Sequence, residues 1–546
     1  MSDLTIIHQQ YAKDVLAGKI IACKYIKSAC SRYISFFDKY TYDENKVQGA
    51  INFISKLKHF TGKHNNKPFI LQPWQVWIIS AIFGFYKSDG KRLTNSAYIE
   101  VSRKSGKTAF AAAIALYMMV ADGESNAEVD FLANNSKQAS IAFDMASNFL
   151  QSIDPKGKYF ERYRSKIKFD KLKSFIQVLS SDASGLDGFN PHLAVLDEIH
   201  EYRDSKLYDV MVSGQGARAN PLILCISTAG FNKFLFAYPY RKSCIEIVSG
   251  LKEDDSFFGA FYTLDEDDDW KDENVWKKAC PNLDITVNKD YIKRQITSAT
   301  NTPSLEVSVK TKNLNVWCDS SDVWISHDLL MESSKKINLS DFDFETLCWM
   351  GVDLSAVSDM TAISAMIPYE GKYYFKTYYY LPESCLQTSP NANLYYNWQQ
   401  QGYLKLTSGN VVDYDEIIKD FQNVSQQLLI DKIAYDSYNS TQWAIEMTNL
   451  NMPIEPYSQA LFNFNRPTKT FERLIKMGKV VIDDNPITRW CFANVTLKED
   501  HNENIKPIKG EGKNNKIDGV ISMIEALGIY LDQPQYSTEI GTISFN

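Results

Sequence analysis

The chain has no paired cysteines, no apolar run long enough to cross a bilayer and no surplus of positive charge. Its nine cysteines are scattered singly, and no two are spaced C-x-x-C. That pattern argues against a disulfide frame or a structural zinc and for a reducing compartment. The longest apolar stretches, Val76 to Tyr86 and Ala109 to Ala121, fall short of the roughly 20 residues that a membrane helix needs. Met1-Ser2-Asp3-Leu4-Thr5 lacks the basic start and apolar stretch of a secretory signal. No internal repeat or low-complexity tract is visible. Net charge is −7, so composition lends no support to nucleic-acid binding. A protein that touches phosphates with one face alone is still allowed, because only that face must be positive.

What is present is material for two or three domains. The 546 residues exceed one ordinary core, and 30 Phe and 31 Tyr are available to fill several. Residues 1–60 read as a helical segment: Tyr11, Val15, Ile20, Ile21, Tyr25, Ile26, Tyr33, Phe36 and Phe37 recur at helical spacing. Residues 61–250 alternate short apolar strands (Ser96–Val101, Glu128–Ala133, Leu193–Leu196, Leu222–Ser227) with helical stretches. This predicts an α/β domain with a mostly parallel sheet. Residues 251–340 are mixed and dotted with Trp, and read as an intermediate region. Residues 341–546 open with three strands (348–354, 361–367 and 372–381) in a meander. A strand at Lys432–Tyr435 and an amphipathic helix at Asp518–Leu531 close that module.

Three pieces in the second segment suit ATP chemistry. Ser102-Arg103-Lys104-Ser105-Gly106-Lys107-Thr108 follows a strand and opens an Ala-rich helix. Backbone N–H groups there face phosphates, Lys107 reaches the β/γ-phosphates and Thr108 holds Mg²⁺. Val101 stands where the general pattern has Gly, so this piece alone is weak. Leu193–Leu196 is an apolar strand ending in Asp197, a Mg²⁺ holder, and Glu198, which would polarise the attacking water. Leu222–Ser227 then ends in Thr228-Ala229-Gly230, small residues of the kind that flank the γ-phosphate and couple its loss to movement in helicase-like motors. Arg103 and Arg218 are candidates to stabilise transition-state charge, Arg218 reading equally as an ordinary exposed arginine. Trp74 and Gln75 could read adenine, Gln75 through hydrogen bonds; the alternative is a Trp that anchors a helix start.

The fourth segment suits phosphodiester cleavage. Asp353 lies inside an apolar strand, where a charge is costly unless paired or bound to metal. Asp436 ends a later strand and Asp518 begins the last helix, with Asp359 a plausible fourth acid. Asp353, Asp436 and Asp518 could converge on two divalent cations, Mg²⁺ or Mn²⁺, that activate water and stabilise the leaving oxygen. Meander, strand and helix in that order give the topology of a ribonuclease-H-like module. Lys506, Lys509, Lys513 and Lys516 read either as a basic loop for a DNA backbone or as a solvated loop.

The whole set resembles the large terminase subunit of tailed phages with an HK97-like packaging system. The resemblance starts at Tyr11–Lys19 and runs through Pro73-Trp74-Gln75, Ser102–Thr108, Leu196–Glu201 and Ser227–Gly230 to Gly351–Ser355, Tyr435-Asp436 and Ile517-Asp518-Gly519. It implies an N-terminal P-loop ATPase of the helicase-like (ASCE) class joined to a C-terminal ribonuclease-H-like nuclease. The expected activity is ATP-driven movement of viral double-stranded DNA into a procapsid and metal-dependent cutting of concatemeric DNA. The implied partners are the portal protein, a small terminase subunit and other copies of the chain in a ring, expected to be a pentamer. The implied setting is the host cytoplasm, away from membranes and outside the finished virion. The competing readings are a cellular helicase-nuclease of repair or defence, and a nuclease with a merely structural nucleotide site.

Overall fold

The computed structural model describes residues 4–60, 65–134, 136–180, 188–202, 204–233, 235–302, 305–319, 324–354, 360–389, 391–437, 440–500, 502–510 and 515–533. The chain forms two compact units, Met1–Ser320 and Ser321–Asn546.

The first unit begins with helices α1 (Leu4–Leu16), α2 (Lys24–Lys39), α3 (Glu44–Ile54) and α4 (Pro73–Phe83). Asp43 caps α3 by accepting from Asn45 and Lys46 N–H, and Pro73 opens α4, where its missing N–H costs nothing. Strands β1 (Thr41–Tyr42) and β2 (Phe85–Tyr86) pair beside them. The central sheet contains β3 (Ser96–Glu100), β4 (Glu128–Ala133), β5 (Phe160–Arg162), β6 (Lys166–Phe169), β7 (Ser174–Ser180), β8 (Leu193–Asp197), β9 (Leu222–Ser227) and β10 (Phe257–Phe261). Its order is β10-β3-β9-β8-β4-β7-β6-β5. It is parallel from β10 to β7, and β6 and β5 extend it antiparallel. Helices α5 (Lys107–Val120), α6 (Ser136–Ile153), α7 (Lys206–Gly214) and α8 (Ala237–Val248) connect the strands. α5 is apolar on every face and buried along nearly its whole length.

Residues 1–60 are not a separate segment. Tyr11, Val15, Ile26 and Tyr33 share one core with Trp77, Phe258 and Tyr262. Trp77 is the hub, with Tyr11 at 5.5 Å and Phe258 at 5.3 Å. Each such buried side chain contributes about 2 kcal/mol. Arg32 Nη1 donates to Phe257 O at 2.6 Å, tying α2 to the edge strand β10. The intermediate region expected at 251–340 is likewise divided. Its residues to 320 lie in the first unit, where the short helix α9 (Trp276–Ala279), α10 (Lys289–Asn301) and α11 (Glu306–Leu314) enclose a small core of Leu264, Trp276, Ile292 and Leu314.

The second unit is built on a mixed sheet. α12 (His327–Ser333) and β11 (Ser334–Lys335) lead into β12 (Leu347–Asp353), β13 (Thr361–Tyr369) and β14 (Lys372–Pro382), the expected meander. After α13 (Cys385–Thr388) and α14 (Ala392–Gln400) come β15 (Leu404–Thr407), α15 (Tyr414–Ser425), β16 (Leu429–Tyr435), α16 (Thr441–Asn449), β17 (Ile454–Pro456), α17 (Leu461–Lys476), β18 (Val480–Asp483) and α18 (Pro486–Ala493). A hairpin of β19 (Val495–Glu499) and β20 (Ile505–Lys509) precedes α19 (Asp518–Leu531). The order is β11-β18-β14-β13-β12-β16-β17, with β15 pairing the far end of β14. β12 is antiparallel to β13 and parallel to β16.

α19 was expected to be amphipathic and is instead buried on nearly every side. It lies directly on β12, and Gly351 is what lets it come so close. A Cβ at Gly351 would stand 2.0 Å from Ser522 O and 2.6 Å from Ala526 N. Gly351→Ala is therefore expected to destabilise the second unit by about 3 kcal/mol, read as a lower midpoint in urea. An unchanged midpoint would mean that helix and strand are not in such close contact.

Candidate active sites

In the first unit, the phosphate loop leaves the end of β3 and turns into α5 through two left-handed residues, Lys104 (φ 67°) and Gly106 (φ 83°). Only Gly takes that conformation without strain, which explains Gly106. The loop is braced by residues that carry no motif. Asn282 Nδ2 donates to Ser105 O at 2.9 Å, Thr286 Oγ1 to Lys104 O at 3.1 Å, and Arg103 N to Lys312 O at 3.0 Å. Ser102 and Ser105 are buried and 3.1 Å apart, while the Arg103 and Lys104 side chains are exposed.

Lys107, buried at the start of α5, meets Glu198 Oε1 at 2.9 Å. Glu198 Oε2 lies 3.2 Å from His200 Nδ1 and accepts from Thr228 N–H at 3.4 Å. Thr108 bonds to Asp197 through its side chain. The helix start and the ends of β8 and β9 therefore meet. Glu198 itself is left-handed (φ 50°), a strained conformation that turns its carboxylate back toward the loop. Burial works to raise the Glu198 pKa, but His200 and Lys107 outweigh it and bring it down to about 2. For Asp197, burial and then the neighbouring Glu198 charge win, and its pKa rises to about 7. Asp197 Oδ1 and Thr228 Oγ1 are both buried without a hydrogen-bond partner. A cation beside the first would relieve an unfavourable burial, so these donors fit Mg²⁺.

Two sequence expectations are corrected. Trp74 is not an open plane for adenine: it is buried between Phe110 and Tyr262, and its indole donates to Asn282 Oδ1 at 2.8 Å. Gln75 Oε1 accepts from Gln72 N at 2.9 Å, a helix-start bond that commits half of its amide. Arg218 is neither exposed nor poised to reach a neighbour. Its Nε donates to Asn190 O at 2.8 Å, Nη1 to Glu124 Oε1 at 3.0 Å and Nη2 to Asn126 O at 3.0 Å.

In the second unit, parallel pairing sets Val352 opposite Tyr435, so Asp353 and Asp436 follow side by side at the strand ends. Gln459 Nε2 lies 3.4 Å from Asp353 Oδ1 and 3.0 Å from Glu525 Oε1. Glu525 was not foreseen. It is fully buried, its Oε2 has no partner, and burial followed by the Asp353 charge pushes its pKa well above the usual range. Lys506 donates to Gln459 O, and burial lowers its pKa against the pull of Asp436, Asp353 and Glu525. Lys506 and Lys509 lie on β20 rather than in a loop. Lys513 and Asp359 lie outside the described residues.

Asp518 is buried at the first turn of α19, beside Cys491, whose thiol also senses Asp353. Seven residues separate Asp518 from Glu525, about 10 Å along a helix. Among the described residues, no three Asp, Glu, His or Cys side chains form a cluster that could hold one ion. Asp353, Asp436 and Asp518 are thus not drawn into a closed cage by the protein alone. Mg²⁺, however, commonly takes one or two carboxylates and completes its shell with water and substrate phosphate. The paired Asp353 and Asp436 fit that mode.

One unit thus carries a phosphate-loop nucleotide hydrolase site, and the other a carboxylate pair on a nuclease-type sheet. Comparison with known families makes this specific. The model of the terminase large subunit ATPase domain matches residues 73–244, and that of the terminase large subunit endonuclease domain matches residues 252–533. The chain belongs to the terminase large subunits. It is 31% identical over 360 residues to Protein YmfN of Escherichia coli (strain K12), spanning 63% of this chain and 78% of that one. It is 24% identical over 485 residues to the terminase large subunit of Enterobacteria phage HK97, spanning 86% and 92%. The crystal structure of the HK97 bacteriophage large terminase superposes with a TM-score of 0.52 at 24% identity, covering 89% of this chain and 99% of that one, and shares the fold. The chain is therefore an ATPase and an endonuclease of viral DNA packaging, with DNA and packaging-machinery partners, and both domains use the cofactors of their class, nucleotide and divalent metal. A cellular helicase-nuclease is not favoured.

The Arg218 geometry can be tested. Arg218→Ala leaves Glu124 without its partner and is expected to destabilise the first unit by about 3 kcal/mol, while ATP hydrolysis per folded molecule is retained. Thermal unfolding and a hydrolysis assay would check this. A fully stable but inactive variant would restore the transition-state role.

Proposed function

We propose that Ser102–Thr108 cradles the phosphates of ATP, with Thr108 and Asp197 holding Mg²⁺ and Glu198 orienting the attacking water. The observation that carries this reading is the 2.9 Å contact of Lys107 with Glu198, beside the Thr108–Asp197 bond. Lys107 is the group expected to move onto the β/γ-phosphates. It would thereby release a Glu198 that stays ionised at neutral pH, since the hydrogen bond from His200 remains. Arg103, exposed on the loop, is the remaining candidate for transition-state charge, and Thr228 faces the γ-phosphate.

In the second unit, Asp353 and Asp436 would hold one or two ions, Mg²⁺ or Mn²⁺, with Asp518 completing the set as DNA enters. The bound ions would supply an activated water and charge neutralisation at the leaving oxygen. Gln459 keeps the Asp353 carboxylate oriented, and Lys506 offers positive charge beside a DNA phosphate. The assembly we infer is a ring of copies, a pentamer, docked on the portal in the host cytoplasm, supplied with DNA by a small terminase subunit.

Two substitutions separate the activities. Lys107→Ala should reduce ATP hydrolysis by at least about a hundredfold and leave metal-dependent plasmid cleavage intact. Asp436→Asn should do the reverse. If each enzyme assay is indifferent to its own substitution, the residue assignments fail.

A further inference from the structure

The loop after β9 is held from behind by residues that no motif marks. Ala229 N–H donates to Asn315 Oδ1 at 2.7 Å, and the Nδ2 of the same side chain donates to Tyr262 O at 2.6 Å. Asn315 is fully buried and left-handed (φ 54°), ends α11 by donating to Lys310 O, and accepts from Thr263 Oγ1 at 2.8 Å. Trp317 lies against Gly230, where a Cβ would meet its ring at 2.8 Å. The Trp317 indole donates to Glu100 Oε2 at 3.0 Å. Glu100 is the last residue of β3, directly before the phosphate loop, and is gripped by Arg241 Nε at 2.8 and 2.9 Å. Asp319 meets Lys233 at 3.6 Å.

Segment 315–319 is therefore bonded both to the loop that carries Thr228 and to the strand that launches the phosphate loop. It is also the stretch by which the chain reaches the end of the first unit. Thr228 links the two sides: its N–H meets Glu198 and its buried hydroxyl has no partner. A γ-phosphate oxygen taken up by that hydroxyl and then lost would act on the very loop that Asn315 and Trp317 hold. A buried amide bonded on both sides cannot let one partner shift without straining or following it.

We propose that Asn315 is a positioning residue for ATP hydrolysis and that segment Asn315–Asp319 follows loop Thr228–Lys233, passing loss of the γ-phosphate to the chain as it leaves the unit. This rests on the ATP-site reading above. The test is hydrogen exchange of the 315–319 amides in the full chain with ADP and with a non-hydrolysable ATP analogue, alongside a nucleotide-binding titration. In the unsubstituted chain the two nucleotides should give rates that differ by about fivefold, the worth of one hydrogen bond. Asn315→Ala should abolish that difference and lower kcat about fivefold with nucleotide affinity unchanged. Trp317→Phe, which keeps a ring and loses only the donor to Glu100, should abolish the difference and serves if the Asn315 variant fails to fold. Identical exchange in both nucleotides, with tight binding, overturns the relay and spares the site. A difference that survives Trp317→Phe also overturns it. Failure to bind nucleotide at all overturns the ATP-site reading instead.

Discussion

Each unit keeps a carboxylate oxygen out of water with no hydrogen-bond donor to satisfy it: Oδ1 of Asp197 in the first and Oε2 of Glu525 in the second. Burying an anion in this way costs several kcal/mol, and a nearby cation or a proton is what relieves it. Much around each group follows from that constraint. Lys107 and His200 hold Glu198 in its charged form, and the Glu198 charge with burial pushes Asp197 toward the neutral form, so Asp197 keeps a negative charge only where a cation sits beside it. Gln459 and Lys506 lie against the acids of the second unit but leave Glu525 Oε2 unsatisfied. Both arrangements are built to accept positive charge at a defined atom.

The chemistry is carried by short motifs, but its geometry is set by segments without them. Asn282 joins the phosphate loop to Trp74, so α4, the loop and residues 279–286 are fixed relative to one another. The second unit uses a different device, main-chain proximity. Gly351 brings α19 onto β12, and that contact sets Glu525 beside Val352 and Asp353. Hydrogen-bonded side chains brace one site and close packing braces the other.

These differences explain what could be read from the residues alone. The parallel strands, the order of the three nucleotide pieces, the meander and the final helix follow from apolar period and from Gly and Asp at strand ends, all local signals. The partners of Trp74 and Arg218 do not. Trp74 finds Asn282 and Arg218 finds Glu124 across 208 and 94 residues, distances at which spacing carries no information. Glu525 was hidden for another reason. Within Val520–Leu527 it looks like the one charged position of a core helix, and only the register of α19 on β12 reveals that it points at two aspartates. The hairpin β19–β20 was missed because its lysines alternate with Ile505 and Ile508 over too short a run to distinguish strand from basic loop.

The joining of the N-terminal helices to the far edge of the sheet has a consequence during synthesis. Arg32 and its acceptor Phe257 are 225 residues apart, and Cys23 is bonded to Phe261 at 3.1 Å. A ribosome adding about 5–20 residues per second takes roughly 11 to 45 seconds to deliver β10 after α2 has been made. Through that interval Tyr33 and Phe36 can already pack on Trp77 and Phe85, but the side of α2 that meets β10 has no partner strand. The helical end of this core is thus made long before the edge strand that completes it, and the sheet closes onto α2 only late in translation.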